Sequence, residues 1–170
     1  MTHRHRQRLL GFTAVPALGL LALGALAATP APAPILINES PSLPEGLYRH
    51  RPDALIDRGA VVALRQPASA RPWLARLGVP AEVRLIKRVA GVPGDLVCGD
   101  GRMLLGAFHA VPVRSHDPAG APLPRWTDCR RLGPDELLVL GDTAASFDSR
   151  YFGPVRRDQI DGVYQAVATW

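Results

Sequence analysis

The chain has 170 residues and a formal charge of +5, from 20 basic and 15 acidic side chains. Arg4, Arg6 and Arg8 supply three of these charges, so the rest of the chain carries only +2. With so small an excess of positive charge and aromatic residues at 6%, the composition argues against a nucleic-acid-binding protein. About 140 residues follow the N-terminal apolar segment, enough for one domain with a sizeable core.

The N-terminal region predicts a membrane anchor. Residues 1–8 form a basic tail, and residues 9–28 contain no charged side chain, a length that lets a helix cross the hydrocarbon core of a bilayer. Basic residues before such a helix place the N-terminus in the cytoplasm. A cleaved secretory signal is the alternative, because residues 25–27 (Ala-Leu-Ala) match a small-x-small cleavage site. Both interpretations export the rest of the chain.

Short extended segments follow the anchor. Residues 29–34 form an extended Pro/Ala linker, and residues 35–38 predict a first strand. A turn rich in proline at residues 38–48 leads into a second extended stretch. Residues 60–65 predict another strand, and residues 72–78 predict one short helix that begins at proline and ends at glycine.

The next predicted strand, residues 83–90, contains the chain's only lysine, Lys87, against nineteen arginines. Alternation along a strand places Lys87 on the same apolar face as Val83, Leu85 and Val89. An ammonium group is costly to keep charged there, and lysine, unlike arginine, can lose its proton and act as a general base. The alternative is a lysine whose stem is buried and whose amine reaches water.

The second half of the chain predicts more short strands. Residues 92–95 (Val-Pro-Gly-Asp) suit a type II turn, and residues 96–98 are expected as a return strand. Residues 99–134 predict short hairpins and loops, residues 136–140 a buried strand and residues 160–168 a final strand. This pattern of many short strands predicts a mostly β domain.

The two cysteines, Cys98 and Cys129, both follow the predicted anchor. Export would place them in an oxidising compartment, where pairing is allowed. We therefore expect a disulfide, with two unpaired buried cysteines as the alternative.

A lysine base needs a nucleophile, and Ser42 between Pro41 and Pro44 is the best candidate, because the fixed proline φ angles restrict where its hydroxyl points. Ser40 is two residues away and can donate to a developing oxyanion beside the Ser42 backbone N–H. The alternative, a helix N-cap at Ser42, has little room because Gly46 follows so closely.

Three segments together resemble the successive conserved boxes of the type I signal peptidases. They are Ser-Leu-Pro-Glu-Gly-Leu-Tyr at residues 42–48, Ile-Lys-Arg-Val-Ala-Gly-Val-Pro-Gly-Asp at residues 86–95, and Gly-Asp-Thr-Ala-Ala-Ser-Phe-Asp-Ser-Arg-Tyr-Phe-Gly at residues 141–153. The Ser-x-Pro-x-Gly-Leu-Tyr form is most similar to the conjugative-transfer, TraF-type branch. The third box is one residue shorter between Asp142 and Ser146 than in the general signal peptidases, which favours that specialised branch.

The resemblance implies a role for each matching residue. These are Ser42 as nucleophile, Lys87 as general base, Ser40 as oxyanion-hole hydroxyl, Ser146 as the hydroxyl that orients the lysine amine, and Asp148 with Arg150 as a supporting pair. Alternation also places residues 146, 148 and 150 on one side of the segment after Gly141, where a hydroxyl, an acid and a base can fix a loop. Arg88 faces away from Lys87 and is expected to be structural. No cofactor and no metal is expected.

The resemblance also implies the fold, the location and the activity. We expect a signal-peptidase-like antiparallel β domain with short helices over residues 35–170, facing the periplasm and anchored in the inner membrane by one helix. Its function would be serine endopeptidase cleavage of exported precursors, such as a conjugative pilin or another transfer protein, in contact with secretion-system components. Some members of this branch join pilin ends into a ring, and the sequence leaves hydrolysis and joining both open.

Two other classes of function compete with a Ser/Lys peptidase. A Ser-His-Asp hydrolase would use His50, His109 or His116, but Ser42 does not lie in a Gly-x-Ser-x-Gly elbow. A non-catalytic periplasmic assembly factor of a conjugation or secretion apparatus is the remaining alternative, and it gives no reason for a buried lone lysine.

Overall fold

Short apolar strands form two antiparallel sheets in the computed structural model, which describes residues 31–170. The strands are β1 (Ile35–Asn38), β2 (Gly46–His50), β3 (Val61–Leu64), β4 (Leu85–Gly91), β5 (Leu96–Gly99), β6 (Met103–Leu105), β7 (Val111–Pro112), β8 (Cys129–Arg131), β9 (Glu136–Leu140), β10 (Val155–Arg156) and β11 (Ile160–Thr169). The helices are α1 (Arg71–Arg76), α2 (Ser149–Phe152) and one 3₁₀ turn (Arg157–Gln159).

The larger sheet has seven strands in the order β1-β2-β11-β3-β4-β9-β10, and the smaller one has four in the order β7-β6-β5-β8. The prediction of a mostly β, antiparallel domain with short helices is confirmed. The predicted anchor at residues 9–28 lies outside the described residues. Across residues 31–170, no helix is long and apolar enough to cross a membrane.

Most predicted elements lie close to observed ones, and two need correction. The lysine strand begins at Leu85 rather than at residue 83, because the Val83 N–H closes a turn onto the Pro80 carbonyl at 3.1 Å. The strand expected at residues 96–98 is present as β5, but it is not a return strand, since β5 pairs with β6 and β8 instead of β4. The turn at residues 92–95, with Gly94 at φ +86°, therefore passes the chain from one sheet to the other.

Strand β9 contributes to two hydrophobic cores. Leu137 and Val139 pack into the core of the larger sheet with β3 and β4 residues, while Leu138 and Leu140 pack towards the smaller sheet. Burial on both faces explains why this strand is a continuous apolar run and not an alternating one. Each of these side chains contributes about 1.5–3 kcal/mol through burial, which makes β9 a rigid neighbour for β4.

The structure pairs Cys98 with Cys129 in a disulfide. The two residues lie directly opposite each other on β5 and β8 of the smaller sheet. The bond encloses a segment with a sequence separation of 31 that contains β6 and β7. The predicted disulfide is thus present in the structure.

The last residues of the predicted linker are held against the domain. The His50 N–H donates to the Pro34 carbonyl at 2.9 Å, and the Tyr164 hydroxyl donates to the Ala33 carbonyl at 2.9 Å. Residues 33 and 34 therefore pack with the domain, together with β1.

Candidate active site

Lys87 lies in the middle of β4 and is 5% exposed. It pairs with Val62 of β3, and its neighbours two positions away, Leu85 and Val89, belong to the core of the larger sheet. The predicted apolar face is therefore present for Leu85 and Val89, whereas Val83 lies before the strand. The alternative of a lysine amine reaching water does not fit this burial.

The amine of Lys87 has a hydroxyl as its neighbour. Nζ donates to Ser146 Oγ at 3.1 Å, and within the described part of the chain Lys87 forms no salt bridge. Burial lowers the pKa of Lys87 from 10.5 to about 8, with Asp148 opposing the change and Arg150 reinforcing it. An amine with this pKa is neutral in a substantial fraction of molecules just above neutral pH, as a general base requires.

The two serines lie on the connection between β1 and β2. Pairing of Asn38 with Gly46 brings the ends of these strands together, so residues 39–45 form a turn that presents Ser40 and Ser42. Their Oγ atoms are 2.8 Å apart. No helix begins at Ser42, so the N-cap alternative is wrong. We call residues 38–44 the nucleophile turn.

Asn38 is the centre of the nucleophile turn, and the sequence analysis missed it. Its buried side chain bonds Ser40 through both polar atoms and also reaches the carbonyls of Leu43 and Pro44. The Pro44 carbonyl accepts a further bond from Tyr48 Oη at 2.7 Å. An asparagine between an apolar strand and a Ser-Pro turn was the available signal, because Asn side chains commonly bond nearby backbone groups in turns.

The other wall is formed by residues 141–150, where Asp148 and Arg150 form an almost fully buried pair. Arg150 Nη2 donates to Asp148 Oδ2 at 2.6 Å, with side chains only 2% and 0% exposed. Nη2 also donates to the carbonyls of Thr143 at 2.9 Å and Ser146 at 3.1 Å. The pair thereby fixes the backbone that carries the Ser146 hydroxyl.

The predicted geometry of this pair is wrong in one respect. Asp148 and Arg150 do not alternate along an extended segment; Asp148 is the N-cap of α2 and accepts from the Arg150 N–H at 3.2 Å. The contact of Asp148 with Arg150 therefore comes from a helix start, where carboxylates commonly accept backbone N–H bonds.

Gly141 is a second residue whose role the sequence did not reveal. A Cβ at this position would lie 2.2 Å from Ser146 Oγ and 2.8 Å from the Ser42 carbonyl oxygen. The two walls approach so closely here that no side chain fits. The next residue, Asp142, donates its N–H to the Ser42 carbonyl at 2.6 Å, which joins the loop to the nucleophile turn.

Arg88 faces away from Lys87, as predicted, and holds the same loop from the opposite side of β4. Its guanidinium donates to both carboxylate oxygens of Asp142, at 2.9 and 2.8 Å. A third bond, from Nη1 to the Gly59 carbonyl at 3.1 Å, ties it to the turn before β3. Arg88 is thus structural and acts on the Asp142 backbone that meets Ser42.

A cleft of about 380 Å³ brings the predicted residues together. Ser40, Ser42, Lys87 and Ser146 line it, together with apolar side chains from α1 and β4. Ser42 and Lys87 share this cleft, but within residues 31–170 they form no hydrogen bond with each other. The Ser42 hydroxyl is hydrogen-bonded to Ser40, and the Lys87 amine is hydrogen-bonded to Ser146. His50, His109 and His116 lie outside the lining, which disfavours a Ser-His-Asp arrangement.

These features define a mostly β protein with paired serines and a buried lysine in one cleft. The family model for signal peptidase, peptidase S26, matches residues 8–170. The chain belongs to this family, and its relatives place it in the TraF-type branch.

Two relatives illustrate this placement, and one solved structure is also similar to the chain. The plasmid transfer protein TraF of Escherichia coli is 36% identical over 148 residues, covering 79% of this chain and 82% of the relative. The conjugal transfer protein TraF of Agrobacterium tumefaciens (strain 15955) is 36% identical over 171 residues, covering 89% and 90%. A signal peptidase I structure from Enterococcus faecalis V583 matches with a TM-score of 0.39 and 21% identity, over 66% of this chain and 98% of that one. This structural similarity is too low to define the fold.

Proposed function

We propose that this protein is a membrane-anchored serine endopeptidase that cleaves exported precursor proteins, using Ser42 as nucleophile and Lys87 as general base. One observation carries the proposal. The only lysine of the chain is buried and lines the same cleft as Ser42, and its amine donates a hydrogen bond to a hydroxyl instead of a carboxylate. A carboxylate partner would keep the amine charged, whereas burial beside a hydroxyl favours the neutral form that a base requires.

The reaction begins when the Ser42 O–H turns from Ser40 towards the neutral amine of Lys87. Ser42 Oγ attacks the scissile carbonyl carbon while Nζ takes its proton, and the resulting oxyanion accepts from the Ser42 N–H and the Ser40 hydroxyl. Lys87 then gives that proton to the leaving amine, and the C–N bond breaks to leave an acyl-enzyme. Water, activated by the again neutral Lys87, attacks the ester and releases the new carboxyl end.

Several observations support the oxyanion site and the orientation of the lysine base. The Ser42 N–H makes no hydrogen bond within residues 31–170, so it is available to a substrate oxygen. Ser146 keeps its bond to the Lys87 amine at 3.1 Å, which orients the base while Ser42 rotates. The Asp148–Arg150 pair holds the Ser146 backbone and would keep the amine in place through the cycle.

The proposed substrate is a pilin or another exported protein of a conjugation apparatus. Relatives named as plasmid and conjugal transfer proteins support this class, and the predicted anchor at residues 9–28 would place the cleft near substrates in the same bilayer. We propose the inner membrane as the location, with the domain in the periplasm and other transfer-system components as partners. An amine at the end of a second peptide could replace water in the last step and join two ends.

Co-expression of the full chain with a candidate pilin precursor tests the proposal. The wild-type protein should release a shortened product, and Ser42→Ala should abolish it because no hydroxyl remains to attack. Lys87→Arg should also abolish it, since arginine keeps the charge but cannot act as a base. Mass spectrometry of the precursor measures both effects.

Cleavage by the Ser42→Ala protein would contradict the mechanism. Normal pilus assembly with Ser42→Ala, without any cleavage by wild type, would favour the non-catalytic assembly factor instead. Ser69→Ala is a matched control, because Ser69 is an exposed serine whose hydroxyl makes only a long 3.5 Å bond to the Phe152 carbonyl. This variant should cleave as the wild type does.

A further inference from the structure

Asn38 makes five hydrogen bonds from one side chain, all within the nucleophile turn. It is 5% exposed. Nδ2 donates to the carbonyls of Ser40 at 2.9 Å, Leu43 at 3.0 Å and Pro44 at 3.1 Å. Oδ1 accepts from the Ser40 N–H at 3.3 Å and from Ser40 Oγ at 3.0 Å. Among residues 31–170, no other side chain makes so many hydrogen bonds to this turn.

The orientation of the Asn38 amide is fixed by its partners. Carbonyl oxygens can only accept, so the side-chain atom facing the three carbonyls must be the NH₂ group. The other atom faces a backbone N–H, which can only donate, and must therefore be the oxygen. A flipped amide would oppose like groups at four contacts. The position of the acceptor Oδ1 beside the Ser40 hydroxyl is thus determined by chemistry.

This acceptor sets the direction of a chain of hydrogen bonds. Ser40 has one hydroxyl proton, and Oδ1 at 3.0 Å can only accept it. Ser40 Oγ must then accept the bond from Ser42 Oγ, 2.8 Å away. The reverse direction would leave lone pairs facing each other between Ser40 Oγ and Oδ1. In the free protein the chain runs from the Ser42 O–H to Ser40 and on to Asn38.

We propose that Asn38 is a positioning residue for the nucleophile, which shapes the turn through its NH₂ group and directs the Ser40 and Ser42 hydroxyls through its oxygen. This inference rests on the proposed function and adds a residue to it. The Asn38 oxygen acts on Ser42 through the Ser40 hydroxyl and the NH₂ group acts through the backbone of the turn, so Asn38 is not a catalytic residue. When Ser42 turns towards Lys87, Ser40 remains held by Asn38 and must release this bond to donate to the oxyanion.

The test is a double-mutant cycle between Asn38 and Ser40 in the full chain, with precursor cleavage as the assay. Asn38→Leu keeps most of the side-chain volume and removes all five bonds. We expect kcat to fall about 10- to 100-fold, the range for a misplaced reacting group. KM should change less than about threefold, because the polar atoms of Asn38 bond the turn and not the substrate.

The diagnostic result is non-additivity. Ser40→Ala alone removes the hydroxyl through which the Asn38 oxygen acts and leaves the NH₂ bonds to the turn in place, so adding Asn38→Leu to it should lower kcat by clearly less than in the wild-type background. Asn38→Ser keeps a hydroxyl on a shorter side chain and should show the same coupling to Ser40→Ala with a smaller magnitude. It replaces Asn38→Leu in the cycle if that variant folds poorly. Additive losses, or an unchanged kcat, would overturn the inference.

Gln66 provides the matched control. Its buried amide also donates to two turn carbonyls, of Pro80 at 2.7 Å and Val83 at 3.1 Å, but it does not line the cleft. Gln66→Leu should lower the melting temperature in the same way and show no coupling to Ser40→Ala. If wild type does not cleave, or Ser42→Ala does, the proposed function itself fails. Additive losses in a protein that cleaves through Ser42 remove only the role of Asn38.

Discussion

Two arginine–aspartate pairs hold the same loop, residues 141–150, from its two ends, and they differ mainly in burial. The Arg150–Asp148 side chains are 2% and 0% exposed, whereas Arg88 and Asp142 are 40% and 38% exposed. A buried pair is costly to break because one charge is left without a partner in a dry site. An exposed pair contributes little to stability and can still fix where a backbone lies.

The two pairs also differ in what they do to Lys87. Asp148 and Arg150 both influence its pKa, in opposite directions, while Arg88 and Asp142 are not among the causes of the change. The buried pair therefore sets both the frame and the electrostatics of the lysine. The exposed pair acts on the other wall, through the Asp142 N–H and the Ser42 carbonyl.

The largest effect is expected from Asp148→Asn. It leaves the Arg150 charge buried without a counter-ion, so the free energy of unfolding should fall by about 3–5 kcal/mol. Urea denaturation monitored by tryptophan fluorescence measures the change. The control is Asp158→Asn in the exposed pair Arg156–Asp158, with side chains 62% and 67% exposed, where a change under about 0.5 kcal/mol is expected. Equal effects of the two variants would contradict the comparison.

Lys87→Met should abolish cleavage and stabilise the fold. The pKa of Lys87 is lowered from 10.5 to about 8 in the folded protein, so the wild type loses stability as the pH falls from about 10.5 to about 8. Below pH 8 the full deficit is present, and Lys87→Met should raise the free energy of unfolding by roughly 3 kcal/mol.

This gain should shrink as the pH rises from about 8 towards 10.5, because the folded lysine is then neutral and the unfolded lysine loses its proton to an increasing extent. Denaturation curves of both proteins at pH 6.5 and pH 10 provide the measurement. A gain of the same size at both pH values would show that packing, and not the desolvated charge, is responsible.

Breaking the exposed pair should have the smallest effect. We expect a small loss of stability and a lower cleavage rate, with no shift in the pH dependence. Arg88→Gln removes the bidentate contact with Asp142 and should cost less than about 1 kcal/mol, while kcat falls about three- to tenfold through the loosened Ser42 carbonyl contact. The pH at half-maximal cleavage should stay near the lysine value of about 8, with activity rising above it.

A pH–rate profile of wild type and Arg88→Gln separates these effects. Arg130→Gln is the control, because it removes the half-exposed ion pair with Glu136 outside the cleft lining and should leave kcat within about twofold of wild type. A displaced midpoint in Arg88→Gln would mean that the exposed pair also sets the basicity of Lys87.

Local patterns predicted the strands and the lysine face well, because both follow from alternation and turn residues. The predicted strand at residues 136–140 coincides with β9, and Lys87 shares its face with Leu85 and Val89 as the period of two requires. The pairing of strands was less accessible. The Val-Pro-Gly-Asp turn looks like a hairpin turn, and only the second core around Leu138 and Leu140 shows why the chain changes sheets there.

The candidate site divides in the same way. Residue types and the three boxes indicated the serines, the lysine and the Asp148–Arg150 pair, whose proposed roles remain to be tested. Asn38 and Gly141 were missed because their importance comes from tertiary contacts: one amide reaches three residues of a turn, and one glycine separates two walls. Neither contact has a periodicity, and the one local signal was the position of Asn38 between an apolar strand and a Ser-Pro turn.

The disulfide between Cys98 and Cys129 has a practical consequence for limited proteolysis. A protease that cuts once between these residues, for example in the connection from β7 to β8, produces two pieces that remain covalently joined. Such a nicked protein should run as one band in a non-reducing gel and as two after dithiothreitol. The same digestion of a Cys98→Ala, Cys129→Ala double variant should give two bands under both conditions.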